Sequence, residues 1–108
     1  MTFDDYQQAA GRTALYGEAY RVTYPALGLA SEAGEVAGKV KKVLRDRDGE
    51  FGAEQVAALQ DELGDVLWYV AVLARDLGLS LDGVAERNIE KLRARMARGT
   101  IRGDGDQR

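Results

Sequence analysis

A chain of 108 residues, 45% hydrophobic and 31% charged, has the composition of one folded domain with a modest core. No run of about 18 apolar residues is present to cross a bilayer, and the polar start MTFDDYQQ is unlike a secretory signal, so a cytoplasmic protein with no membrane partner is expected. Having neither cysteine nor histidine, the chain is excluded from disulfide, thiolate and imidazole chemistry, and its net charge of −3 points away from nucleic acid as a partner.

In chain order, hydrophobic periodicity predicts four helices and no strand. The first, over 3–16, gathers Phe3, Tyr6, Ala10, Thr13 and Ala14 on one face. YRVTY is the nearest approach to a strand and is short, while Pro25 suits the entry to the next helix. That second helix, over 26–45, carries Leu29, Ala33, Val36, Val40 and Val43 at alternating steps of four and three. RDRDGEFG then reads as a loop. The third helix, over 54–77, sets Val56, Leu59, Leu63, Val66, Val70 and Leu77 on one side. Its middle, VLWYVAVLA, is apolar almost all round and needs cover on more than one face, which in so short a chain is expected from another subunit. Ser80 is placed to cap a fourth helix over 81–97 bearing Leu81, Val84, Ala85, Asn88, Leu92 and Met96. Residues 98–108 form a glycine-rich basic tail. The expected fold is an all-α, four-helix-bundle-type domain spanning 1–108, completed by oligomerisation into a dimer or a dimer of dimers.

Two acidic pairs stand beside these apolar stripes: Glu32 with Glu35 in SEAGEV, and Glu62 with Asp65 in DELGDV. Their spacing alone carries no weight, because acidic residues make up 18 of the 108. Position carries more. At 100° per residue, Glu32 lies about 60° and Glu35 about 120° from Leu29, so both flank the buried stripe, with Lys39 following on the same side. Glu62 and Asp65 sit one turn before the all-apolar run. Consecutive helices joined by a short loop pack antiparallel, which brings the pairs within reach of one another. Small residues (Ala30, Ala33, Gly34, Gly38 and Gly64) leave room around them. Four converging carboxylates repel by several kcal/mol unless protons or a cation compensate. Oxygen-only donors suit a hard ion, and Mg2+ is favoured, with Mn2+ able to substitute and more than one ion per site. The fourth helix and tail are basic, and there Asn88, Lys91 and Arg95 fall on one face, so Lys91 and Arg95 are candidates for phosphate.

The pattern Glu-x-x-Glu, a gap of 26 residues, then Glu-x-x-Asp resembles the MazG-like all-α nucleoside triphosphate pyrophosphohydrolases. The likeness runs through YQQAAGRTA, YPALGLASEAGEVAGKVKKVLRD, DELGDVLWYVAVLARDLG and NIEKLRARMARGTIRGDGDQR, whose ending is similar to that of a short, single-domain branch. The resemblance implies a homo-oligomer that cleaves a nucleoside or deoxynucleoside triphosphate between the α- and β-phosphates, with magnesium, to a monophosphate and pyrophosphate. It implies Glu32, Glu35, Glu62 and Asp65 as catalytic metal ligands, one of them helping to deprotonate the attacking water. Lys39, Asn88, Lys91, Arg95 and Arg108 would contact the substrate. Ser31 stands where the family often has a further acid. The base is left open, with dGTP or GTP as candidates. Trp68 and Tyr69 are expected in the core or an interface, with stacking on a base as the lesser expectation. The alternative is a non-enzymatic helical dimerisation module whose acids bind a structural ion or a basic partner; carboxylate-pair glycoside hydrolysis ranks last.

Overall fold

The computed structural model describes all 108 residues and contains helices and no strand. Helix α1 (Phe3–Gly11) is followed by a 3-10 turn (Glu18–Tyr20), α2 (Thr23–Arg47), α3 (Ala53–Asp76) and α4 (Leu81–Arg98). Thr2 and Asp5 start α1 with a reciprocal capping box, at 3.0 and 2.9 Å. That helix ends at Gly11, short of the expected residue 16, and the chain turns to carry Tyr16 to the end of α3. Helix α2 begins earlier than expected, with Pro25 in its first turn, where a missing N–H leaves no helical partner wanting. It also continues through Arg47 into the segment expected as loop.

YRVTY is no strand. Val22 has φ 66° and ψ −55°, and the Thr23 N–H donates to the Arg21 carbonyl at 2.7 Å, a strained γ-turn. A β-branched residue held there costs on the order of 1–3 kcal/mol. Asp76 holds it. Its side chain is wholly buried and accepts from the Val22 N–H at 3.0 Å, the Tyr16 hydroxyl at 2.7 Å and Arg75 at 3.2 Å. Burial alone would raise the Asp76 pKa; the Tyr16, Val22 and Arg75 donors together outweigh it and hold the carboxyl below its usual range. Burial, then the bond to Asp76, pushes the Tyr16 phenol up to about 12.

Helices α2 and α3 form an antiparallel hairpin, and α1 lies against another side of α3. Gln7 ties three elements together: its amide donates to the carbonyls of Ala71 and Leu79, and its oxygen accepts the Leu81 N–H. Asp4 accepts the Asp82 N–H and Ser80 that of Gly83, so α4 starts capped by both, Ser80 as expected. Ala10, Ala71, Val72 and Leu81 form the core. The second cover that α3 requires along VLWYVAVLA therefore comes from α1 of the same chain.

What stays open lies elsewhere. Only eight residues are buried, and the radius of gyration is 16.7 Å, against about 13 Å for a compact chain of this length. Leu27 and Leu44 of α2 and Val56 and Leu63 of α3 are more than half exposed, although the last two belong to the stripe expected to be internal. No helix is long and apolar enough to cross a membrane.

Candidate active site

The seam between α2 and α3 is built in rungs. At one rung Gly28 meets Tyr69: a Cβ on Gly28 would overlap the ring carbons Cε1, Cζ and Cδ1. One turn along, Glu32 of α2 faces Glu62 and Asp65 of α3, and an oxygen from each of the three carboxylates lies within 4.8 Å of the others. Beyond them the Lys39 ammonium stands 3.6 Å from Glu62, and Val43 is buried further on. Acids thus replace an apolar layer in the middle of a helix–helix contact. Three carboxylates with a single ammonium at hand are under-compensated. Partial burial raises the Glu32 pKa first, followed by its hydrogen bond with Glu62 and by repulsion from Asp65, Glu62 and Glu35. The donors are all hard oxygens in excess of local cations, which fits a hard divalent ion.

The expected set of four is thereby divided. Glu32, Glu62 and Asp65 converge; Glu35, exposed on α2, stands outside the trio and acts on Glu32 through its charge. The room around the acids is also distributed differently from the expectation. Cβ atoms on Gly34, Gly38 or Gly64 would meet nothing, so these glycines border open surface, and close approach is confined to Gly28.

Aromatic rings wall the site. Glu32, Asp65, Trp68 and Tyr69 line an open cleft of about 290 Å³. Trp68 meets Tyr69 edge-on at 4.9 Å and donates its indole N–H to the Thr13 hydroxyl at 2.8 Å. Tyr24 lies 6.3 Å from Tyr69, and Tyr16 stacks on Tyr24 at 4.9 Å, so the row of rings runs back to the Asp76 anchor. From α1, Tyr6 approaches the acids: burial, then the Asp65 charge, raises its pKa. The chemical consequence is a cleft with an anionic, ion-ready floor and flat apolar walls.

The candidate cations of α4 are engaged elsewhere. Arg95, 5% exposed, donates to the carbonyl and carboxylate of Asp106 at 2.8 and 3.1 Å, and Lys91 reaches the same carboxylate at 3.3 Å. Arg108 donates to the carbonyls of Gly105 and Ile101 within the tail. Asn88 is exposed and, with Arg87 and Lys91, lines a separate open groove of about 460 Å³. Within one chain, none of these side chains pairs with the acidic trio.

The family model for the MazG nucleotide pyrophosphohydrolase domain matches residues 23–99, from the first residue of α2 to just past the end of α4. The chain belongs to the MazG nucleotide pyrophosphohydrolase family. It is 49% identical to the Gene 37 protein of Mycobacterium phage L5 across the full length of both chains. It is also 40% identical to the Uncharacterized protein YvdC of Bacillus subtilis (strain 168), over 74% of this chain and 76% of that one. No solved structure matches significantly. The matched MazG domain contains the trio, Gly28 and both cleft rings, Trp68 and Tyr69. Tyr6 of α1 and Asp106 and Arg108 of the tail lie outside it.

Proposed function

We propose that this MazG protein hydrolyses a nucleoside or deoxynucleoside triphosphate between the α- and β-phosphates, releasing a monophosphate and pyrophosphate. The observation that carries this is the convergence of three under-compensated carboxylates in a cleft walled by aromatic rings. Glu32, Glu62 and Asp65, with Glu35 adjoining, would hold Mg2+, or Mn2+ in its place, as one ion or more. When bound, such ions supply the positive charge that phosphoryl transfer needs around its oxygens. One of these carboxylates would take the proton of the attacking water. Lys39, beside Glu62, presents an ammonium to a phosphate at the rim. Trp68 and Tyr69 offer faces to a base and keep bulk water from one side of the cleft. An ion held only to brace the fold would need no such walled opening, so the enzymatic function is favoured over the dimerisation module.

A second copy of the chain covering Leu27, Leu44, Val56 and Leu63 is part of this proposal, supported by their exposure. The deciding experiment is a panel of the common ribo- and deoxynucleoside triphosphates, dGTP and GTP included, incubated with Mg2+ and scored for monophosphate and pyrophosphate. At least one should yield both products in equal amounts. Release of orthophosphate instead, or no turnover of any of them, would overturn the assignment.

A further inference from the structure

Residues 99–108 contain no buried side chain, yet they fold back on α4 in a defined path. Gly99, at φ 72°, ends the helix, and the Thr100 N–H donates to the Arg95 carbonyl at 2.8 Å, reversing the chain. The return is then held by charge: Arg95 and Lys91, one helical turn apart, both grip the carboxylate of Asp106, and Arg98 donates to the Arg108 carbonyl. The burial is lopsided. The Arg95 side chain is 6% exposed, whereas that of Asp106 is 74% exposed. The guanidinium is thus fixed in the protein, the Lys91 side chain is 34% exposed and the anion faces water, so the carboxylate is the partner that can leave.

A guanidinium fork and an ammonium converging on one anionic group form the donor set that also suits a phosphate. We propose that Asp106 is a resident substitute for a phosphate group, and that the tail is a clasp opened when a polyphosphate takes its place on Lys91 and Arg95. The choice of polyphosphate as the ligand rests on the proposed function; the clasp rests on the geometry alone. Because Asp106 is tethered, it is present at high effective concentration and outcompetes ligands of low charge. A triphosphate, with several charges to spread over Lys91, Arg95 and their neighbours, displaces it, and a monophosphate does not. Such a clasp selects for the highly charged substrate and against retention of the nucleoside monophosphate.

The test uses the full chain without divalent ions, at low salt, with inorganic tripolyphosphate as the probe in titration calorimetry. Removing the competing charge in Asp106→Asn should tighten binding about tenfold, and adding Lys91→Gln should cancel the gain. Equal or weaker binding by Asp106→Asn would overturn the clasp. A second measurement needs no variant: tripolyphosphate should accelerate tryptic cleavage after Arg102 of the wild-type chain several-fold, as the tail is freed. Unchanged or slower cleavage would overturn the proposal. Neither measurement involves turnover or metal, so their failure would leave the pyrophosphohydrolase assignment standing, and the failure of turnover would leave the clasp standing.

Discussion

Two charged centres in this small protein are finished to different degrees. In the α2–α3 seam, three carboxylates share one ammonium at 3.6 Å and remain in electrostatic debt. At the end of α4, Lys91 and Arg95 find their counter-charge in the chain's own Asp106. A structural polar cluster is ordinarily satisfied internally, and the second, with two cations sharing one carboxylate, comes nearer to that, because unpaired charges between helices weaken the contact they occupy. An unfinished cluster in the middle of a helix pair opposes stability, and departures of that kind concentrate at functional sites. On the proposed function, the seam is where an ion from outside would be held; on the proposed clasp, the tail is where an anion is already simulated.

The largest predicted effect removes this contrast altogether. Asp65→Asn or Glu62→Gln should lower turnover about a thousandfold, since a lost charge-stabilising group at a phosphoryl-transfer centre is worth that much. The same variants should lose any rise in melting temperature that Mg2+ gives the wild type, while the far-ultraviolet circular dichroism stays helical. Glu35→Gln should fall well short of that loss, since Glu35 stands outside the trio. A Glu35 variant as inactive as the Asp65 variant would mean that the four acids act together and that the division seen in one chain does not describe the working site.

Next in size is the rung that sets how closely the helices approach. Gly28→Ala forces a methyl group into the Tyr69 ring, so that the ring or the helix pair must shift. The cost should be about 2–3 kcal/mol of folding stability, read from urea unfolding. Catalysis in the folded fraction should fall as well, because Tyr69 walls the cleft. Gly34→Ala, whose Cβ meets nothing, is the control and should leave stability nearly unchanged.

The glycine contrast also shows how far the sequence could be read. All four helices were legible, because apolar residues at steps of three and four leave few alternatives and Ser80 marks a start. The acidic motifs were legible as pairs beside those stripes. Which glycine touches a ring was not, since Gly28, Gly34 and Gly38 are equivalent until the register across the seam is known. The strained turn at Val22 had no local signal at all: a valine at positive φ runs against every preference of its own backbone. It exists because Asp76, 54 residues away, accepts its N–H. The Lys91–Asp106 and Arg95–Asp106 pairs were hidden for a similar reason, as a glycine-rich tail gives no indication of the path it folds along.

Asp76 provides the third test, a carboxylate satisfied internally and therefore opposite in kind to the trio. Asp76→Asn should lose about 2 kcal/mol, because the amide group cannot accept from Val22, Tyr16 and Arg75 at once. The pH dependence follows from the lowered pKa. The folded state binds the Asp76 proton less tightly than the unfolded chain, so its contribution is whole above pH 4 or so and disappears as pH falls through the folded pKa. Tyr16 acts at the other end. With its pKa pushed up to about 12, the stability it confers is whole below the phenol's ordinary value of 10.0 and is lost between those values. Wild type should therefore lose more stability than Asp76→Asn at each extreme, by urea unfolding at stepped pH. A constant difference between the two across that range would mean that Asp76 is held by packing and not by its charge.

The smallest predicted effect is the most discriminating for the seam. The Lys39 and Glu62 side chains are 37% and 17% exposed at 3.6 Å, a pair of the partly solvated kind that contributes at most about 1 kcal/mol to folding. Its value lies in what it competes with. In the free protein Lys39 is the nearest internal cation to the trio, so an incoming divalent ion must share Glu62 with it or displace it. Lys39→Gln should therefore bind Mg2+ a few-fold more tightly, by calorimetry, while the KM for the triphosphate rises by a similar factor because a phosphate partner is gone. Opposite signs in the two constants identify a residue that fills in for the ion and then contacts the substrate. If both constants weaken together, Lys39 is simply bracing Glu62, and the seam has no internal counter-ion to exchange.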